Sequence, residues 1–207
     1  MRIIIADNHI YTRIGIAHVL RSAFPHLEVL ELEDGGDLIK AVTAGDWDLV
    51  ISEIKLKGRS GLDALEQIRL IKPSVRLLIV SVYPSLLYGV RSLKAGAAGY
   101  FEKHQPPEEL LAAIRRICLG KKYIPSEITE KLVDLYGKTD AHELLSNREL
   151  EIFRLLASGK STGEVADILS LSLSTISTHR NSILEKLSLR TNADLTIYAL
   201  SLGIFSE

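Results

Sequence analysis

Five polar side chains stand directly behind short apolar runs, where a buried strand would end. Asp7 and Asn8 follow Ile3-Ile4-Ile5-Ala6, Glu53 follows Leu49-Val50-Ile51-Ser52, Ser81 follows Leu77-Leu78-Ile79-Val80, and Lys103 follows Gly99-Tyr100-Phe101-Glu102. Two carboxylates, an amide, a hydroxyl and an ammonium, if they converge, are the groups that hold a hard divalent cation or a phosphoryl group. A second set lies near the carboxy terminus: Ser174, Thr175, Ser177, Thr178, Arg180 and Asn181, flanked by Lys160 and Lys186. These side chains are mostly short or hydrogen-bonding and let a nucleic-acid backbone or base edge come close, whereas a merely solvated helix more often carries Glu and Lys. Residues 143–207 hold six Lys or Arg against eight Asp or Glu, yet within 172–192 Arg180, Lys186 and Arg190 face only Glu185. Positive charge is gathered where phosphate contact would require it.

The elements that must position the first set are readable from the apolar pattern. Ile3–Ile5, Val29–Leu32, Leu49–Ile51, Leu77–Val80 and Gly99–Phe101 are expected strands. Between them Ile10, Ile14, Ala17 and Leu20, then Leu62, Leu65 and Ile68, then Leu110, Ile114 and Ile117 recur at helical spacing. Continuous apolar strands alternating with helices predict a doubly wound α/β domain, a five-stranded parallel sheet covered on both faces, over residues 1–120. In such a sheet ligands sit beyond the carboxyl ends of the strands, which is where the five polar groups stand.

Residues 121–144 are expected to be a partly helical linker, with Ile128, Leu132 and Leu135 on one face of a short helix capped by Ser126. From 145 to 207 the pattern is helical only. Ser146 with Glu149 three residues on is a capping box; the helix it opens buries Leu150, Phe153 and Leu156. A second helix turns Val165, Ile168 and Leu169 inward, and a third, from about Ser174, turns Ile176, Ile183 and Leu187 inward. Two short helices joined by a tight polar turn, the later one apolar on one side and small and polar on the other, form a helix-turn-helix.

Bulk properties narrow the function classes. The 207 residues carry a net charge of −1, with 46% hydrophobic and 25% charged residues, ordinary for a globular protein. No window approaches a membrane span, and the apolar run after Met1 is too short for a signal peptide, so a cytoplasmic protein without membrane contact is expected. The single cysteine, Cys118, reads as a buried small hydrophobe. A glycine-rich phosphate loop, a nucleophile beside a histidine and a metal-ligand cluster are all missing from the sequence, which argues against an enzyme.

Both halves resemble one known family. Leu145-Ser146-Asn147-Arg148-Glu149-Leu150-Glu151-Ile152, Gly159-Lys160-Ser161, Glu164-Val165-Ala166 and Leu171 to Leu187 resemble the LuxR-type helix-turn-helix, whose recognition helix carries Thr175 to His179 here. Ile5-Ala6-Asp7-Asn8-His9, Asp48 to Glu53, Gly58-Arg59-Ser60-Gly61-Leu62 and Gly96 to Lys103 resemble, in order and spacing, the receiver domain of NarL-type response regulators. The resemblance implies a DNA-binding transcriptional regulator acting as a homodimer on double-stranded DNA, dimerising through the receiver and a last helix over Asn192 to Leu202, with a sensor kinase or another regulatory protein as further partner. It places the phosphoacceptor position at Glu53, the receiver pocket at Asp7, Asn8, Ser81, Tyr100 and Lys103, and DNA contacts on Ser177, Thr178 and Asn181. Ser81 and the aromatic Tyr100 are the residues that read the phosphate in relatives.

Three positions depart from the pattern. Glu53 replaces the accepting aspartate, Asn8 replaces the second metal-binding acid, and Lys57 stands where proline is usual. Mg²⁺ demands near-octahedral oxygen geometry; Asn8 removes a charge and Glu53 moves its carboxylate outward by roughly 1.2–1.5 Å, of the order of one carbon–carbon bond. No cofactor, a weak or lost Mg²⁺ site and no ordinary aspartyl phosphorylation are therefore expected. Lys103, joined by Lys55, is expected to supply the positive charge instead. Glu53 then either imitates the phosphorylated side chain in part, carrying −1 against roughly −1.5 to −2 for a phosphate, or leaves control to another input. The plainer reading of Asp7, Glu53 and Lys103 is a structural ion-pair cluster, and that of His179 is a packing residue.

Overall fold

The computed structural model describes residues 1–129, 141–202 and 204. It divides into two compact units, Met1–Glu130 and Lys131–Glu207. Among the described residues no helix is long and apolar enough to cross a membrane.

The first unit alternates strands β1 (Arg2–Ala6), β2 (Glu28–Leu32), β3 (Leu49–Ser52), β4 (Leu77–Ser81) and β5 (Gly99–Glu102) with helices α1 (Ile10–Ala23), α2 (Gly35–Ala44), α3 (Gly61–Ile71), α4 (Ser85–Lys94) and α5 (Pro107–Cys118). The strands form one parallel sheet in the order β2-β1-β3-β4-β5. β1, β3 and β4 are interior strands, so Ile3, Ile4, Ile5, Leu49, Val50, Ile51, Leu77, Leu78 and Ile79 are all essentially inaccessible. Burial on both faces is why these strands read as uninterrupted apolar runs.

Two faces differ from the sequence expectation. On α1 the buried residues are Ile16, Ala17 and Leu20, while Ile10 and Ile14 are 54% and 51% exposed. The row facing the sheet passes through Arg13, whose side chain is 12% exposed and pairs with Glu31 at 3.5 Å; a polar residue on that row conceals the true face from a count of apolar positions. Cys118 is half-buried against the core rather than enclosed.

The chain leaving α5 packs on the same unit. Tyr123 pairs with Gly99 in parallel, its N–H donating to the Ala98 carbonyl at 3.0 Å and its carbonyl accepting from Tyr100 N–H at 3.3 Å. Ile128 is fully buried against Gly89 of α4. The helical turn at 126–129 is closed by the Pro125 carbonyl, which accepts from the Ile128 and Thr129 amides. Ser126 does not cap it, because its hydroxyl turns to Glu127 at 3.3 Å. The expected continuation through Leu132 and Leu135 lies outside the described residues.

The second unit has a short 3-10 turn (Ala141–Leu144) and helices α6 (Asn147–Ala157), α7 (Thr162–Leu169), α8 (Leu173–Leu187) and α9 (Asn192–Ser201). Capping boxes at Ser146/Glu149, Ser161/Glu164 and Thr191/Asp194 open α6, α7 and α9. On α7 Val165 and Ala166 are buried, Leu169 is half-buried and Ile168 is 45% exposed, not inward; the inward side runs through positions 165, 166 and 169, and 168 lies outside it.

Candidate functional site

Asp7, Asn8, Glu53, Ser81 and Lys103 sit at or just beyond the carboxyl ends of strands, so the parallel sheet brings them together, while Tyr100 lies within β5. Lys103 Nζ lies 2.5 Å from Asp7 Oδ2 and 2.6 Å from Glu53 Oε2. Both acids are 3% exposed and Lys103 is 13% exposed. Glu53 Oε1 accepts from Ser81 Oγ at 2.6 Å and from the Ile54 amide at 2.6 Å. Asp7 Oδ1 accepts from the His9 amide at 2.8 Å, and the Asp7 carbonyl accepts from Arg13 at 2.6 Å. Burial by itself pushes the Lys103 pKa down; attraction to Glu53 and hydrogen bonds with Asp7 and Glu53 overcome this and raise it. The ammonium is therefore a fixed positive charge.

Tyr100, fully buried on β5, donates its phenol to the Tyr83 carbonyl at 2.7 Å. Burial, with Glu53 nearby, pushes its pKa well above the usual tyrosine value. Tyr83 N–H in turn donates to Ser81 Oγ at 3.3 Å, so Glu53, Ser81, Tyr83 and Tyr100 form one connected chain. Behind Glu53, a Cβ on Gly61 would come within 2.0 Å of the Glu53 carbonyl; only glycine lets α3 start this close.

Asn8 stands at the rim, its Oδ1 buried and without a hydrogen-bond partner. Lys55 is exposed, and the ion pairs to the two pocket acids come from Lys103; the expected help from Lys55 is not seen, because its side chain leaves the pocket for solvent. Lys57 pairs with Glu33 at 2.8 Å. His9 Nδ1, 3.2 Å from Asp7 Oδ1, and the Tyr83 carbonyl were not singled out from sequence, since only the folded loops bring them to the pocket.

In the second unit Ser172 caps α8, accepting from the Thr175 amide at 3.1 Å. Ser174, Ser177, Thr178 and Asn181 are exposed, while Ile176, Ile183, Leu184 and Leu187 are buried on the opposite side. The Ser177 and Thr178 hydroxyls donate to the carbonyls of Leu173 and Ser174 at 2.9 and 3.0 Å, which leaves their acceptor lone pairs outward. Thr175, His179 and Arg180 are half-buried. Arg180 Nε donates to Asn192 Oδ1 at 2.6 Å, fastening α8 to the start of α9. Lys160 is half-buried at the turn before α7.

Lys186 is committed elsewhere. Its Nζ lies 2.6 Å from Glu149 Oε2, and Ser182 donates to Glu149 Oε1 at 2.6 Å. Burial pushes the Glu149 carboxyl up, but hydrogen bonds from Lys186, Ser182 and the Ser146 amide prevail and hold its pKa at about 2. Glu149 thus closes the capping box of α6 and clamps α8 at once. Sequence reading found the box and missed the clamp, because nothing local marks a contact between residues 33 and 37 apart.

Comparison with known proteins adds to this geometry. Residues 3–115 match the response regulator receiver domain, and residues 143–199 match the luxR family of bacterial regulatory proteins. The chain is 32% identical to the oxygen regulatory protein NreC of Staphylococcus haemolyticus and 33% identical to that of Staphylococcus aureus, covering 97% of both partners in each alignment. Among solved structures it is similar to RcsB of Salmonella enterica serovar Typhimurium bound to promoter DNA with the phosphomimetic BeF3⁻, at 27% identity, TM-score 0.61 and 98% coverage of each chain. It is equally similar to RcsB in a structure of two dimers on two parallel DNAs, with TM-score 0.61 and 27% identity over 97% of this chain and 98% of that one.

Proposed function

The chain belongs to the response regulators that join a receiver domain to a LuxR-type DNA-binding domain, and on that premise we propose that it is a sequence-specific transcriptional regulator whose receiver works without phosphoryl transfer. It binds double-stranded DNA as a homodimer in the cytoplasm and performs no catalysis of its own. Its functional segments are a receiver over 1–120, a linker over 121–144 and a DNA-binding domain over 145–207.

The observation that carries this reading is the state of the Glu53 carboxylate. One oxygen is paired with Lys103 and the other accepts from Ser81 and the Ile54 amide, at 3% exposure. Oε1 has both lone pairs engaged and Oε2 is buried against Lys103, which opposes attack on a phosphoryl donor, and Ser81 and Tyr100, the phosphate readers of relatives, are already engaged. Glu53 thereby imitates part of a phosphoryl group. The pocket does not suit Mg²⁺: Lys103 is paired with both acids and offsets one of their two charges, and Asn8 Oδ1 offers a single neutral oxygen against a near-octahedral requirement.

On α8 the exposed side with Ser174, Ser177, Thr178 and Asn181 is the DNA-reading surface. Thr175 and Arg180 support it from its edge, Lys160 contacts the backbone, and Lys186 acts through the Glu149 clamp. Similarity to RcsB, solved as dimers on DNA, supports a symmetric dimer reading half-sites one helical turn apart or a multiple of it.

Incubation with acetyl phosphate and Mg²⁺ followed by intact-mass measurement tests the receiver. The expected spectrum lacks a phosphoryl adduct; an adduct on Glu53 or Asp7, abolished by its amide variant, contradicts the proposal.

A further inference from the structure

The end of the receiver sheet opposite Glu53 carries an excess of positive charge, although Asp46, which pairs with Lys72, and Asp48 lie at the same end. Residues 69–76, 91–98 and 115–122 contain nine Lys or Arg and no Asp or Glu. All three segments border a cleft of about 210 Å³ lined by Arg69, Arg76, Lys121 and Lys122 with the backbone of 96–98, and no carboxylate lines it. Two features make this a built cleft rather than a solvated face. Arg69 is locked: its guanidinium donates to the Pro73 carbonyl and to the Val75 carbonyl at 2.9 Å. Gly96, at φ +99°, lies so near that a Cβ would meet Arg69 Nε at 2.8 Å. Arg76, Lys121 and Lys122 have no ion-pair or side-chain hydrogen-bond partner among the described residues, and the segment bearing the two lysines is fixed by Arg116 donating to the Lys122 carbonyl at 2.7 Å.

Like charges lining one cleft repel one another, and a multivalent anion seated among them relieves that repulsion. Guanidinium and ammonium groups together favour phosphate oxygens. The volume lies below the roughly 300–1,000 Å³ of drug-sized pockets, so it suits a compact anion. We propose that this cleft binds a small oligophosphate, the diphosphate unit being the part recognised. The proposal stands independently of the Glu53 reading, since the two sites occupy opposite ends of the strands. A bound anion joins Lys121 and Lys122, on the chain leaving the receiver, to Arg69 and Arg76, and so ties that exit segment to the sheet through Tyr123 and Gly99.

Titration calorimetry of the full chain with inorganic pyrophosphate, with sulfate and a duplex DNA as comparison ligands, tests it. Expected are one saturable pyrophosphate site, tighter than sulfate, weakened at least tenfold by Arg76→Ala with Lys122→Ala and unchanged by Lys40→Ala. Slower amide exchange over 119–124 should accompany binding. Absence of a saturable isotherm, affinity equal to that for sulfate, or protection arising elsewhere overturns the site. Loss of duplex affinity in the double variant without any pyrophosphate isotherm assigns the cations to polymer phosphates and also overturns it.

Discussion

Two buried acids share one ammonium at the centre of the receiver pocket, and the consequence of removing that cation can be stated. Lys103→Met leaves Asp7 and Glu53 facing each other in a dry site, where an unpaired buried charge costs about 3–5 kcal/mol. Urea unfolding at pH 7 should show that loss. In the second unit Glu149 makes stability depend on pH. Its pKa falls from the usual 4.5 to about 2, so its contribution is full above 4.5 and disappears as pH drops toward 2. It amounts to about 2 kcal/mol once screening at the partly exposed Lys186 is allowed for. Glu149→Gln should flatten the acid limb of the unfolding curve across that window. Asp7, Glu53, Ser81 and Lys103 were legible in sequence because a parallel sheet fixes where strand ends meet. Lys55 was misjudged, and the pairing of Lys186 with Glu149 was hidden, because residue type and spacing do not say which way a long flexible side chain turns.

At the scale of elements, the two faces of α8 separate two kinds of failure. Thr178→Glu with Asn181→Glu places two negative charges on the exposed side without touching the buried Ile176, Ile183 and Leu187. Thermal stability should stay within about 0.5 kcal/mol of the parent, while duplex affinity in a mobility-shift assay falls at least a hundredfold. Unchanged affinity removes α8 from the DNA interface. Ile128→Ala, at a fully buried position against α4, should cost about 2–5 kcal/mol, measured by chemical denaturation. All five strands were legible from their apolar runs, as was the capping box at Ser146. Ser161 with Glu164 and Thr191 with Asp194 carried the same local signal and could have been read. The face of α1 could not, since Arg13 occupies a sheet-facing row; nor could the docking of Tyr123 and Ile128, which depends on a strand edge and a helix groove formed by distant residues.

For the whole molecule, charge is divided in an uncommon way: the DNA-binding unit is nearly balanced and the receiver's far end is strongly basic. With few cations near α8, the logarithmic salt dependence of DNA binding should be shallow, about −0.9 per phosphate neutralised, and two-fold symmetry must supply the remaining affinity. We propose that Glu53 stands in for a phosphoryl group and keeps the regulator competent to bind DNA. The most direct test is the affinity of the intact chain for its own promoter, measured for the parent and for Glu53→Gln, each with and without acetyl phosphate and Mg²⁺. Glu53→Gln keeps the shape but loses the charge that Lys103 and Ser81 hold. At least tenfold weaker binding is expected for that variant, with no response of either protein to acetyl phosphate. Equal affinities, or a parent that tightens with acetyl phosphate, would contradict it.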